Sequence, residues 1–267
     1  VLPTLLTLGN GLCGFAAIAY ASKIALHQAM PGADIDYYFN LSGVLILAAM
    51  AFDVLDGYAA RLSRTASEFG GQLDSLCDAI SFGAAPAFLL LRLGQEWQHH
   101  PVVAKLVAVI AALYMACAVL RLARFNTENT PDPASHKRFK GLPSPAAAGC
   151  IVSLVVLRSD MASAWAGLNT RDVQVFVSFW APLGALAAAL LMVSQLSYPH
   201  FTRQLLRGRR RFRFIVQTVV LLAVVALAPA LALFLVFWTY ALLPPLRGLA
   251  VRLRRQARPE HSPGLHP

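Results

Sequence analysis

Apolar stretches of bilayer-crossing length recur along the chain, and they restrict its fold more than any other feature. Residues 3–26, 40–60, 69–92, 102–120, 142–158 and 173–196 are each predominantly apolar, and a last stretch, 214–243, runs for 30 residues with Pro229 near its middle. A helix needs about 20 such residues to cross the hydrocarbon core. Only 13% of the residues are charged, against about 25% in a soluble domain. The expected fold is therefore all-α, a polytopic membrane helical bundle. The last stretch reads as two short spans in a hairpin, which gives about eight transmembrane helices: a six-helix core over residues 1–200 and a basic linker with a hairpin over 201–246. One long tilted helix kinked at Pro229 is the alternative. Residues 247–267 are basic and Pro-rich and read as a disordered tail.

The net charge of +10 is first a topology signal in such a chain. With eight spans and the N-terminus inside, the outer segments hold five basic residues, Lys23, Arg92, Lys105, Arg158 and Arg171, and the other 18 of the 23 lie inside. That asymmetry follows the positive-inside rule and puts the turn between the second and third spans on the cytoplasmic face of the cell inner membrane. No basic stripe interleaved with surface aromatics points to a nucleic acid. The four cysteines (Cys13, Cys77, Cys117, Cys150) sit in apolar segments without CxxC spacing, which fits small buried side chains better than a disulfide or zinc site. The chain opens at Val1, so a short N-terminal piece is expected to precede it. The first apolar stretch lacks a charged n-region and a cleavage site, unlike a signal peptide.

Four carboxylates interrupt this apolar background. Asp53 and Asp56 are three apart, and Asp74 and Asp78 are four apart. On a helix, each pair shares one face. One carboxylate at mid-membrane costs about 2.5–3.5 kcal/mol on insertion scales and marks a functional site by default. Four together cannot all stay ionised unless cations hold them. Carboxylate oxygens are hard ligands, suited to Mg²⁺, Mn²⁺ or Ca²⁺.

The pattern from Asp53 to Asp78 reads D-x2-D-G-x2-A-R-x8-G-x3-D-x3-D. It resembles the signature of the CDP-alcohol phosphatidyltransferases, and every fixed position matches. Three further segments, Ser81-Phe-Gly-Ala-Ala-Pro86, Arg121-Leu-Ala-Arg124-Phe-Asn126 and Gly141-Leu-Pro-Ser-Pro-Ala-Ala-Ala-Gly149, are similar to those of the bacterial, membrane-embedded phosphatidylserine synthases within that family. Together they cover most of residues 1–200. The opening Pro3-Thr4-Leu-Leu-Thr7 departs from the usual Pro-Asn-x-x-Thr by carrying Thr4 in place of Asn.

The resemblance implies an enzyme that moves a phosphatidyl group from CDP-diacylglycerol to L-serine, with two divalent ions, Mg²⁺ or Mn²⁺. Asp53, Asp56 and Asp74 would hold one ion, and Asp53, Asp74 and Asp78 the other. Asp78 would also act as general base on the acceptor hydroxyl. Positions matching Gly57, Arg61 and Ser67 contact the CDP part; Ala60, Gly70, Thr4 and Thr7 join them as candidates. A glycine at 57 would let a nucleotide approach the backbone, although packing of small residues together with Ala60 would also explain it. Arg61 offers a planar fork to a phosphate oxygen. For the acceptor, Arg121 and Arg124 are expected to hold the serine carboxylate and Ser81 the ammonium. Homodimers are common in the family, and membrane lipids would surround it. Two other readings stay open. One is the same chemistry with glycerol 3-phosphate or an inositol phosphate as acceptor. The other is an ion-coupled transporter, against which stands the absence of a second, inverted copy of the motif. A phospholipase-D-like synthase is disfavoured because HxKxxxxD is absent.

Overall fold

The apolar stretches fold as helical rods, as their length dictates. The structure is a computed structural model and describes residues 2–27, 35–63, 67–94, 100–128, 141–164, 170–196, 198 and 228–256. Helix α1 spans Leu2–His27 and α2 spans Ile35–Ser63. A single rod follows, made of α3 (Glu68–Asp78), a π-helical segment (Ala79–Ala84) and α4 (Ala85–Leu93). Then come α5 (Pro101–Glu128), α6 (Ser144–Ala164), α7 (Thr170–Val193) and α8 (Pro229–Gln256). Among the described residues six helices are long and apolar enough to cross a membrane, and α6 adds a shorter apolar run, Ser144–Arg158. The fold is an all-α polytopic membrane bundle.

The rod has a local cause for its irregular middle. Pro86 has no N–H, so an α-helical turn there would leave the carbonyl of Phe82 without its partner four residues on. The backbone widens over Ala79–Ala84, where the N–H of Ala85 reaches Ile80 five residues back. The Phe82 carbonyl instead accepts from the Tyr114 hydroxyl of α5 at 3.0 Å. This places a π segment, a form frequent at functional sites, directly after Asp78.

The core forms where the rod meets its neighbours. Phe39, Ile46, Phe82, Leu89, Leu90, Leu93 and Tyr114 are all buried there. Large apolar side chains elsewhere, such as Leu12, Phe15, Val54, Val109 and Phe176, stay exposed, as expected of surfaces that face lipid rather than water. Gly141 takes φ +90, where a side chain would strain the backbone and strike the Met192 carbonyl. Its N–H donates to Leu196 at 2.8 Å, and Leu142 donates to Leu191 at 3.0 Å, so the start of α6 is tied to the end of α7.

Helix α8 sets aromatics into glycine gaps of α6 and α7. A Cβ on Gly149 would strike Phe237, and one on Gly184 would come 2.8 Å from Trp238 Cζ2. The Trp238 indole N–H donates to the Cys150 carbonyl at 3.2 Å. Residue 228 is non-helical and α8 starts at Pro229, so Pro229 begins a helix and does not kink one. Helix α8 also runs on to Gln256, through ten residues of the segment expected as a disordered tail. Arginine and leucine are good helix formers, and a helix already nucleated in the bundle extends through them at little cost. Residues 214–227, the basic cluster Arg203–Arg213, Arg64 and the connection with Lys137, Arg138 and Lys140 lie outside the described residues.

Candidate active site

Acids of α2 and α3 converge, and the cap of α3 fixes where its acids fall. Ser67 is the N-cap, with extended backbone, and its hydroxyl oxygen accepts from the Gly70 N–H at 3.0 Å. The Ser67 carbonyl accepts from Gly71 at 3.1 Å. A Cβ at Gly70 would lie 3.1 Å from the Ser67 hydroxyl, so glycine keeps the cap close. Asp74 follows within two turns, and Asp78 one turn later.

Those turns bring the acids together. One carboxylate oxygen each from Asp53, Asp56 and Asp74 lies within 4.8 Å of the others. Asp56 is buried, and Asp53 and Asp74 are half-buried. Asp56 Oδ2 and Asp74 Oδ1 are buried without a hydrogen-bond partner. Among the described residues none of the four acids has a basic partner in an ion pair. Hard oxygen donors, crowded, buried and unserved, are what a divalent cation requires, so the donor set fits one. Asp78 stands beside this triad, within electrostatic range of Asp53 and Asp74.

The face next to the acids is open. A Cβ on Gly57 would meet nothing but the Arg61 guanidinium, 3.9 Å away. Among the described residues, then, no neighbouring helix packs against Gly57. Arg61 is exposed, and its Nε donates to the Gly57 carbonyl at 2.9 Å, so the guanidinium lies over this face. Ala60 is half-buried beside it. From α1, Thr7 is buried, donates to the Pro3 carbonyl at 3.0 Å and stands beside Asp56. Thr4 is half-buried one turn earlier.

The expected acceptor residues divide. Arg121 lies within electrostatic range of Asp53 and Asp78 and donates to the Ser144 hydroxyl. The Gly-Leu-Pro-Ser-Pro segment thus has a physical role, because its serine anchors that arginine. Arg124 is half-buried one turn on. Nearby, the Ser75 and Asn126 side chains hydrogen-bond at 3.0–3.1 Å, tying α3 to the end of α5. Ser81 is fully buried and its hydroxyl donates to the Asn10 carbonyl at 2.9 Å. It fastens the rod to α1 through the hydroxyl that was expected to meet the serine ammonium.

One residue at the site was given no role from the sequence. Asn10 of α1 is fully buried, and its Nδ2 donates to Asp78 Oδ1 at 2.9 Å. The available signal was an amide in an apolar span, flanked by Gly9, Gly11 and Gly14.

Comparison with known proteins agrees with this geometry. The family described as CDP-alcohol phosphatidyltransferase matches residues 1–256, and so includes α8. A CDP-diacylglycerol–serine O-phosphatidyltransferase of Helicobacter pylori is 34% identical over 203 residues, covering 75% of this chain and 73% of that protein. The protein of the same name from Methanocaldococcus jannaschii is 32% identical over 205 residues, covering 76% and 84%. That from Bacillus subtilis is 28% identical over 203 residues, covering 76% and 92%.

Proposed function

The chain belongs to the CDP-alcohol phosphatidyltransferase family, and on that premise we propose how its α2–α3 site works. The protein is a CDP-diacylglycerol–serine O-phosphatidyltransferase. It transfers the phosphatidyl group of CDP-diacylglycerol to the hydroxyl of L-serine, giving phosphatidylserine and CMP. The observation that carries this is the trio of carboxylate oxygens within 4.8 Å beside the open Gly57–Arg61 face, in a chain similar to proteins of that name.

Roles follow from position. Asp53, Asp56 and Asp74 would hold one divalent cation, and Asp53, Asp74 and Asp78, as the family resemblance implies, would hold a second. A divalent cation there would supply charge neutralisation of the diphosphate and polarisation of the phosphoryl group. The bare backbone at Gly57 admits the CDP moiety. Arg61 lies over it as a fork for phosphate oxygen, and the Ser67 hydroxyl is a further donor to the CDP part. Thr4, Thr7, Ala60 and Gly70 line or shape that pocket. Asp78 takes the proton of the serine hydroxyl as its oxygen bonds to the β-phosphorus. The bond from that phosphorus to the bridging oxygen breaks, and CMP leaves. Arg121, held by Ser144, and Arg124 bind the serine carboxylate. The lipid tails enter between helices whose outer faces are already apolar.

The site faces the cytoplasm from the inner membrane, as the charge asymmetry implies, and the expected assembly is a homodimer among membrane lipids. A cysteine replacing Glu68, with the native cysteines removed, should react with an impermeant thiol reagent only from the cytoplasmic side. One replacing His100 should react only from the other side.

The deciding experiment offers purified protein CDP-diacylglycerol with L-serine, glycerol 3-phosphate or inositol phosphate, with and without divalent cation. L-serine alone should release CMP, and only with the cation. Turnover with glycerol 3-phosphate and none with serine would replace the acceptor while keeping the chemistry. No CMP release with any of the three would overturn the assignment.

A further inference from the structure

Helix α1 packs closely against the α3–π rod on both sides of Asp78. A Cβ on Gly11 would lie 2.9 Å from Cys77 Sγ, and one on Gly14 would lie 2.7 Å from the Ser81 Cα. Between these contacts Asn10 bonds twice across the interface, from its side chain to Asp78 at 2.9 Å and through its carbonyl to Ser81, also at 2.9 Å. We infer that Asn10 is a positioning residue, whose side-chain amide locks one oxygen of Asp78 so that the other faces the reacting hydroxyl. The inference rests on the general-base role proposed for Asp78.

Three features favour this over a packing role. A buried amide in an apolar span is costly, and a leucine would fill similar volume without that cost. Asn10 Oδ1 is buried without a partner, so half of the amide's hydrogen-bonding capacity stays unused and only its donor serves. A carboxylate is acceptor-only when ionised, so the nitrogen must face Asp78. The backbone also changes from α to π just after Asp78. Its own helix therefore fixes the carboxylate less than an uninterrupted α-helix would, and a bond from a neighbouring helix supplies the constraint. Asn10 has no exposed surface, so it acts through Asp78 and does not touch substrate.

The test uses full-length protein in lipid nanodiscs with saturating Mg²⁺ or Mn²⁺, comparing Asn10→Ala, Asn10→Leu, Asn10→Ser and Asp78→Asn. Loss of a group that orients a ligating or catalytic side chain costs about 10–100-fold. Asn10→Ala and Asn10→Leu should lower kcat by that factor. The serine KM and the CDP-diacylglycerol dissociation constant, measured by calorimetry, should stay within about 3-fold of wild type under the same reasoning. Asn10→Ser keeps a short donor and should retain more kcat than Asn10→Leu. If Asn10→Ala does not fold, that Ser-against-Leu comparison decides, and equal loss in the two overturns the inference. Wild-type kcat in both Ala and Leu variants overturns it as well. A raised serine KM with kcat preserved does so too, because Asn10 would then contact the acceptor. An Asp78→Asn variant that still turns over removes the general-base reading and this inference with it. If Asp78→Asn is inactive while the Asn10 variants are normal, only this inference falls.

Discussion

The bundle buries acid at both ends, in opposite ways. At one end Asp36 of α2 faces Arg158 of α6 at 3.5 Å, and the guanidinium lies 4.7 Å over the Phe39 ring. At the other end Asp53, Asp56 and Asp74 crowd together, and among the described residues no cation is in ion-pair contact with them. Each chain segment could have supplied a basic partner, since Arg61 and Arg121 are near. Yet Arg61 turns to its own backbone and Arg121 to Ser144. The Asp36–Arg158 pair meets its opposite charge within the protein and holds two helices together. An unpaired acidic cluster is complete only with cations from outside, and that dependence makes it a site.

The largest effect should come from removing what completes the cluster. Chelation of divalent cations should abolish CMP release, and Mg²⁺ or Mn²⁺ should restore it. Added cation should also raise the thermal midpoint of the wild type, by an amount equivalent to about 2.7 kcal/mol at one hundred times its dissociation constant. Asp53→Asn should lose turnover, CDP-lipid binding and that metal-dependent shift together. A full metal shift in Asp53→Asn would break the contrast between the two ends.

Asp78→Asn should lower kcat by about 10²–10⁴-fold, the usual worth of a general base. CDP-lipid binding should be largely intact, because one oxygen ligand remains. Equal loss of binding in Asp53→Asn and Asp78→Asn would contradict separate roles.

Next in size, Arg121→Ala or Arg124→Ala should raise the serine KM about 10-fold, as expected for losing a charge-assisted hydrogen bond worth about 1.5–3 kcal/mol. Lysine at either position should rescue poorly if a planar fork holds the carboxylate. Steady-state kinetics in serine would check both, and unchanged KM in both Ala variants would sink the pocket alone.

The smallest effect on catalysis belongs to the far end. Arg158→Ala should leave kcat within about 2-fold while lowering the thermal midpoint equally with and without metal. Its cost should stay below the about 3–5 kcal/mol of a fully buried pair, because Asp36 keeps 33% of its side chain exposed. A metal-dependent loss in Arg158→Ala would mean the two ends are coupled.

Much of this was written in the sequence. Bilayer thickness converts apolar run length into spans, so the rods over residues 3–26, 40–60 and 69–92 were legible to within a few residues. Helical periodicity put Asp53 with Asp56 and Asp74 with Asp78, and the cost of acid in lipid marked them as functional. Ser67 and Gly70 were legible as candidate contacts for the CDP part, though not as a cap and the glycine that closes it. The extent of α8 was not legible, because Arg-rich sequence reads equally as a solvated tail or a helix end.

What the sequence determined alone was therefore whatever depends on local period and on transfer cost: a helical membrane bundle with two acidic pairs. Tertiary structure decided everything that depends on which faces meet. It left Gly57 open and closed Gly14 against Ser81. It used the Ser81 hydroxyl on α1, set Ser144 under Arg121, and brought Asn10 across 68 positions of chain to Asp78. The reason is physical. A polar side chain in lipid must find a partner, and the sequence shows that the demand exists. Only the packed helices show which partner, at what distance, meets it.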